Sequence, residues 1–323
     1  MMSNGLPKSV LAVFCVLCLI GCCVIYLADP DQDISVTVNG DGSVSYEVSG
    51  FLPEEYTCMV LDGVNPKDLI YFYYDERYPT YRTSLHEVHI LYTTLRELLE
   101  ARGYGSFHIV DADGLRDVLS TASSASVSAI FVATGTLPDT VYVPFLLEDW
   151  MSAGGTMYWM GGNPCTRYAM SDGTMVDAQG MFDESLFNAE VSDKGATDCT
   201  YIAAEFGFGY YAIDYAIRKD VPNSVPIGLV DGTYSSLSEV VSPYGGKVYL
   251  FGGSASSMSF EQVSAFADYL VCGVTGATEV LQKEEGAKGY GHRTSTMHPS
   301  ALGEVFYLKV GKPNTIVGRM VRL

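Results

Sequence analysis

The chain has 323 residues, 48% of them hydrophobic and 18% charged, a composition that fills one large core or two modest ones and excludes disorder. With 19 Lys and Arg against 38 Asp and Glu its formal charge is −19, which opposes binding to nucleic acid or to an anionic membrane surface, because both demand a basic footprint.

Residues 1–9 read as a short cytoplasmic N-terminus and residues 10–28, VLAVFCVLCLIGCCVIYLA, as a transmembrane signal anchor. The run is uncharged and long enough to cross a hydrocarbon core of about 30 Å. Lys8 precedes it and Asp29, Asp31 and Asp33 follow, so the positive-inside rule places the rest of the chain outside the cytoplasm. The expected localisation is therefore a cell membrane crossed once, with an extracytoplasmic C-terminal domain. A competing reading takes Leu19-Ile20-Gly21-Cys22 as a lipobox with Cys22 lipidated. Against it, the residues after Cys22 stay apolar and only one Lys precedes the run.

Residues 29–67 contain a β-hairpin, in which Ile34, Val36 and Val38 alternate and then Val44, Tyr46 and Val48, around Asn39-Gly40-Asp41-Gly42. A linker with Pro53 and Pro66 follows, holding a short candidate strand over Thr57 to Leu61. From residue 68 the pattern changes to strands alternating with helices. The apolar run DLIYFYYD is a strand covered on both faces. Ser84 and Glu87 form a capping box for a helix with Leu85, Val88, Tyr92, Leu95, Leu98 and Leu99 on one stripe, stopped by Gly103.

Phe107 to Val110 and Val127 to Ala133 are the second and third strands, with a short helix capped by Asp113 between them. A helix over Phe145 to Ala153 ends at Gly154-Gly155, and Thr156 to Met160 is the fourth strand. Residues 165–223 are a Gly- and Tyr-rich insertion without a clean period. Val225 to Val230 is a further strand, LSEVVSPYGGKVYLFGG a hairpin, and Ser259 with Gln262 starts a helix running to Gly273. Residues 274–323 form a tail that closes with a hairpin over Glu304 to Val310 and Thr315 to Leu323. The expected fold is α/β, a three-layer parallel sheet with flanking helices, plus a small β module in which the N- and C-terminal hairpins pack together because each alone is marginal.

The first strand DLIYFYYD, the run LLEDWMSAGGTMYWMGG and the late segment VVSPYGGKVYLFGGSASSMSFEQ are similar in order and spacing to the class I glutamine amidotransferase-like, flavodoxin-like α/β domain, across residues 68–273. Catalytic members carry a Cys at the turn after the strand that matches Thr156 to Met160, and a His with a Glu after the late strand. This chain has Gly161-Gly162-Asn163 and Gly253-Ser254-Ala255 at those places. The resemblance thus implies a degenerate, non-catalytic member of the kind found in extracytoplasmic proteins, with no cofactor.

Strand-end loops collect Asp75, Glu76, Arg77, Tyr78, Tyr81 and Arg82 after the first strand, and Asp111 and Asp113 after the second. Thr134 and Gly135 follow the third strand, and Gly161, Gly162 and Asn163 the fourth. In doubly wound sheets these positions line one crevice, so Asp75, Glu76, Arg77, Asp111, Thr134, Gly135, Gly161, Gly162 and Asn163 form the candidate ligand site. The bland reading of Asp75 is a strand terminator. The five His are scattered, and His86 and His89 share a helix face without a third ligand, so no metal is expected. Outside the apolar run remain Cys58, Cys165, Cys199 and Cys272, and Cys165 with Cys199 is the first expected disulfide, both lying in one insertion.

The leading functional expectation is ligand or partner binding at the cell envelope without catalysis, the partner being an envelope protein or a small ligand. The alternative is a surface hydrolase using the crevice carboxylates, or Cys165 as nucleophile with His292 or His298 as its base.

Overall fold

The structure is a computed structural model that describes residues 32–52, 55–64, 67, 69–101, 106–161, 164–178, 191–201, 211–260, 262–264, 266–267, 277–285, 289–298, 305–311 and 317–322. The expected anchor over residues 10–28 lies outside them, as do Gly162 and Asn163. Among the described residues no helix is long and apolar enough to cross a membrane.

Strands β1 (Gln32–Val38) and β2 (Val44–Leu52) form the expected hairpin, and β3 (Glu55–Val64) follows. The hairpin turn is fixed by side chains: Asp41 Oδ1 accepts from the Ser43 backbone N at 3.0 Å and from Ser43 Oγ at 2.7 Å, while Gly42 takes φ +82°. The α/β part opens with β4 (Leu69–Tyr73), helix α1 (Leu85–Ala101) and β5 (Phe107–Val110).

The capping box of α1 is formed as its sequence requires. The Ser84 N–H donates to Glu87 Oε2 at 2.8 Å and the Glu87 N–H to Ser84 Oγ at 3.2 Å. The buried stripe of α1 is Val88, Leu91, Tyr92, Leu95, Leu98 and Leu99, each contributing about 2 kcal/mol by leaving water. Helices α2 (Ala112–Ser120) and α3 (Ala122–Ala125) lead to β6 (Ser128–Val132), which is buried throughout, and the short β7 (Leu137–Pro138) follows. The N-cap of α2 is Asp111, whose Oδ1 accepts from the Gly114 N–H at 2.9 Å, and not the expected Asp113, which sits in the first turn.

Helix α4 (Leu146–Ser152) delivers the chain to β8 (Thr156–Met160) through the Gly154-Gly155 pair. Gly155 permits the turn because a Cβ there would collide with the Trp150 ring. The described residues of the insertion include regular strands. These are β9 (Arg167–Ala169), β10 (Met175–Asp177), β11 (Val191–Tyr201) and β12 (Tyr211–Arg218). Three further strands complete the sheet, β13 (Ser224–Leu229), β14 (Tyr234–Val241) and β15 (Lys247–Phe251).

The main sheet has nine strands in the order β12-β11-β13-β14-β15-β8-β6-β4-β5. It is mixed, where the sequence led to a parallel sheet. Strands β15, β8, β6, β4 and β5 run parallel to one another, and β14, β13, β11 and β12 continue the sheet in antiparallel pairs. The reversal follows from the tight turn at Ser242–Gly246, closed by a 2.8 Å bond from the Ser242 N–H to the Gly246 carbonyl, which makes β14 an antiparallel neighbour of β15. Numbering the five parallel strands along the chain, their order is 2-1-3-4-5, with the reversal between β4 and β6.

Successive side chains face opposite ways and build two cores. Ile70, Phe72, Phe131, Tyr158 and Phe251 pack with α1 and with Phe266 of the helical residues 262–264 and 266–267. Tyr73, Ile130, Val132, Met157 and Trp159 pack with α2 and α4 through Leu115, Leu147 and Trp150. Helices therefore cover both faces.

Four strands follow, β16 (Ala277–Glu285), β17 (Gly289–Met297), β18 (Val305–Gly311) and β19 (Val317–Arg322). The C-terminal hairpin β18–β19 is formed, but it pairs with β3 in the sheet β16-β3-β18-β19, while the N-terminal hairpin pairs with β17 in the sheet β1-β2-β17. The two hairpins thus belong to different sheets, with β1 lying alongside β19.

Candidate functional site

At the carboxyl ends of β4 and β5 the side chains form one polar knot. Asp75, 6% exposed, stands two residues past the end of β4. Its Oδ1 accepts from the Arg77 backbone N at 3.0 Å and from Arg77 Nε at 2.9 Å, and its Oδ2 accepts from Arg77 Nη2 at 2.6 Å and from the Ala112 N–H at 3.1 Å. Asp75 is therefore both the strand terminator and a clamp on the first turn of α2. Burial works against its charge, but the hydrogen bonds from Arg77 and Ala112 outweigh that, so its carboxyl is held below the ordinary range. Arg77 Nη2 also lies 3.5 Å from Asp111 Oδ2 and 3.7 Å from Asp113 Oδ2, one guanidinium facing three carboxylates. Glu76 is exposed and accepts from the Tyr74 hydroxyl at 3.3 Å.

The strand order reverses between β4 and β6, where an α/β sheet leaves its crevice. Here the loop after β4 crosses that point. The segment after Arg77 runs across the end of β6, the Tyr81 N–H donates to the Thr134 carbonyl at 2.8 Å, and Thr136 Oγ1 donates to the Pro79 carbonyl at 3.0 Å. Thr134 Oγ1 is turned inward onto the Thr136 carbonyl at 2.7 Å, and both threonines are buried. Gly135 has φ +68°, and a Cβ on it would stand 2.6 Å from the Tyr81 carbonyl oxygen, so only glycine admits this approach. Gly161, φ +82°, lies behind it, with the Gly135 Cα 3.5 Å from where its Cβ would be.

Outside this crossing stands a cluster that the strand-end residues foretold only in part. The Arg82 guanidinium lies 5.4 Å from the Tyr81 ring centroid and 5.0 Å from that of Tyr215, and the Arg167 guanidinium lies 4.4 Å from the Tyr81 ring. Tyr215 is 7% exposed on β12, whose middle is tied to the residue after β15 by the Asp214 N–H donating to the Gly252 carbonyl at 2.9 Å. A hydrogen bond from Arg82 holds the Tyr81 hydroxyl below its ordinary pKa against the effect of burial, helped by a bond from Tyr215 and the charge of Arg167. Tyr81 and Arg82 were visible as loop residues after the first strand. Arg167 and Tyr215 come from the insertion, and no motif in the sequence joins them.

The expected bridge between Cys165 and Cys199 is not formed. Cys165 is packed into the core with α2 and α4, and Cys199 into the core on the other face of the sheet. Burial raises the Cys199 thiol to about 11. Cys165 has φ +59° but is 1% exposed, so its sulfur is not presented to a substrate. His292 and His298, the expected bases for it, belong to β17 and to the residue after β17, where His298 faces the charge of Asp41 rather than the strand ends. His86 and His89 are exposed on α1, and among the described residues no group of three His, Cys, Asp or Glu is arranged to hold a metal ion. A small recess lined by Val191, Tyr215, Ile217, Ser236, Ser238 and Leu250 leaves about 10 Å3, room for about one water.

No protein-family model matches the chain, and no curated protein matches it.

Proposed function

We propose that this chain is a membrane-anchored, extracytoplasmic protein whose α/β domain binds a small ligand or an envelope partner and performs no catalysis. The observation that carries this reading is the crossing of the strand-end crevice by the chain's own Pro79–Arg82 segment, bonded to Thr134 and Thr136 and in close contact with Gly135. The carboxylates that a hydrolase would use are committed to structure: Asp75 to Arg77 and Ala112, and Asp111 to the cap of α2. A general acid and base need proton exchange with a substrate, and groups locked in this way offer little.

The strand order 2-1-3-4-5 supports the finer proposal that the domain is a degenerate class I glutamine amidotransferase-like one, since that is the flavodoxin-like order. Gly161 stands at the end of β8, where catalytic members of that family begin the turn bearing their nucleophile. The uncharged run over residues 10–28 supports the anchor.

The test is turnover. The full chain, purified in detergent, is incubated with glycoside, ester, amide and peptide substrates, and no product is expected. Product formation abolished by Asp75→Asn or Cys165→Ala, with the fold retained, would overturn the reading in favour of a surface hydrolase.

A further inference from the structure

Arg82, in the loop after β4, and Arg167, on β9 of the insertion, are brought together in a chain whose acidic residues outnumber its basic ones twofold. Both guanidiniums lie against the Tyr81 ring and Arg82 also against Tyr215. Arg82 spends one N–H on the Tyr81 hydroxyl, and a guanidinium carries five, so the remaining donors of Arg82 and those of Arg167 can still meet an oxyanion. Two like charges beside one ring also repel each other, and an anion bound beside them relieves part of that repulsion.

The acidic neighbours do not neutralise the pair well. The ion pair of Arg167 is one contact from Nε to Asp177 Oδ1 at 3.5 Å, to a side chain 70% exposed, and Asp214, beside Arg82, is also exposed. Exposed pairs of this kind are weak and exchange readily with a better anion. The cluster is open to solvent on the arginine side, since Arg82 is exposed and the Arg167 side chain is 40% exposed, while Tyr215 forms a buried wall. Arg82 moreover holds φ +59°, a conformation unfavourable for an L-residue, which the crossing loop imposes by fixing Tyr81 to Thr134.

We infer that Arg82 and Arg167, stacked on Tyr81 at the carboxyl end of the sheet, form a binding site for an oxyanion, the carboxylate or phosphate group of a small ligand. Arg82 and Arg167 supply the charge and the forked donors, the Tyr81 hydroxyl a further hydrogen bond, and Tyr215 the wall that orders Arg82. The inference rests on the binding reading above and names the ligand class for it.

The experiment is calorimetric titration of the full chain in detergent with inorganic phosphate in one arm and sodium acetate in the other, at constant ionic strength. Saturable binding is expected in at least one arm, and which arm responds tells phosphate from carboxylate. Arg82→Gln and Arg167→Gln should each weaken it tenfold or more at unchanged melting temperature, Arg167→Lys should retain part of it, and Arg116→Gln, on the exposed face of α2, should leave it alone. Absence of saturable binding in both arms, or affinity unchanged in both glutamine variants, overturns the site. If either glutamine variant fails to fold, Arg82→Lys and Arg167→Lys decide, because loss of the fork alone should weaken a two-bond contact severalfold. A null result here beside a ligand of other chemistry would remove the oxyanion and leave the binding module. Turnover beside a positive result would remove the binding-only reading and leave the anion site as a substrate pocket.

Discussion

The Tyr81 carbonyl oxygen lies where a side chain on Gly135 would begin, 2.6 Å from the position of its missing Cβ. This contact brings the loop after β4 down onto the end of β6, across the point where the strand order reverses. The same step sets the Tyr81 ring outward for Arg82 and Arg167. The crossing and the arginine cluster are therefore one structural fact.

Gly135→Ala should destabilise the chain by about 2 kcal/mol or more, since it adds an atom against backbone to the cost of a left-handed alanine. Gly173, φ +88° with nothing within 4 Å, is the control: Gly173→Ala pays only the conformational cost, about 1 kcal/mol. Denaturant unfolding of the two variants checks this. Equal losses would show that the Tyr81 contact is not made.

Asp75 gives the fold an acid sensitivity. Its carboxyl is held below the ordinary value in the folded chain, so its contribution is present above about pH 4, the unfolded value, and is lost as pH falls through the lower folded value. Asp75→Asn should cost about 2 kcal/mol at neutral pH, because Arg77 loses the nearest of its three carboxylates while the amide still accepts one bond. Unfolding midpoints measured from pH 7 down to pH 3 should show the gap between wild type and Asp75→Asn narrowing. A gap constant with pH would contradict the assignment.

The two inner cysteines should resist alkylation in the native chain and react fully after denaturation without reductant. Peptide mass spectrometry checks both, and a peptide linking Cys165 to Cys199 would contradict their placement in separate cores.

The anchor proposed over residues 10–28 sends the folded part outside the cell. Protease added to intact cells should release fragments of residues 32–323, and carbonate washing should leave the chain in the membrane pellet. Full protection of the chain until lysis would contradict the orientation.

Much of the α/β frame was legible because its signals are local. The Ser84/Glu87 box and the stripe from Val88 to Leu99 name α1 without knowledge of neighbours, and β6 and β8 are uninterrupted apolar runs because helices cover them on both sides. The antiparallel half was not legible. Strand β11, VSDKGATDCTY, carries two Asp, a Lys and a Gly, and it pairs with β12 through two register shifts, so no period of two survives in its sequence. The site divided in the same way. Asp75, Asp111, Thr134, Gly135 and Gly161 do lie at the strand ends, as the alternation of elements requires. That the crevice between them is crossed depends on the path of residues 79–82, and the meeting of Tyr81 with Arg167 and Tyr215 on contacts across 86 and more residues, none of which leaves a mark on local pattern.

The most direct measurement of the central claim is thermal unfolding of the full chain in detergent against sugars, amino acids, peptides, carboxylates and phosphates, with each mixture analysed for product afterwards. A ligand at a hundred times its dissociation constant adds about 2.7 kcal/mol, a readily seen shift. The account expects at least one such shift, reduced in Arg82→Gln, with the ligand recovered unchanged. A ligand consumed during the incubation, with consumption lost in Asp75→Asn, would show that the crevice is open and catalytic and would contradict it.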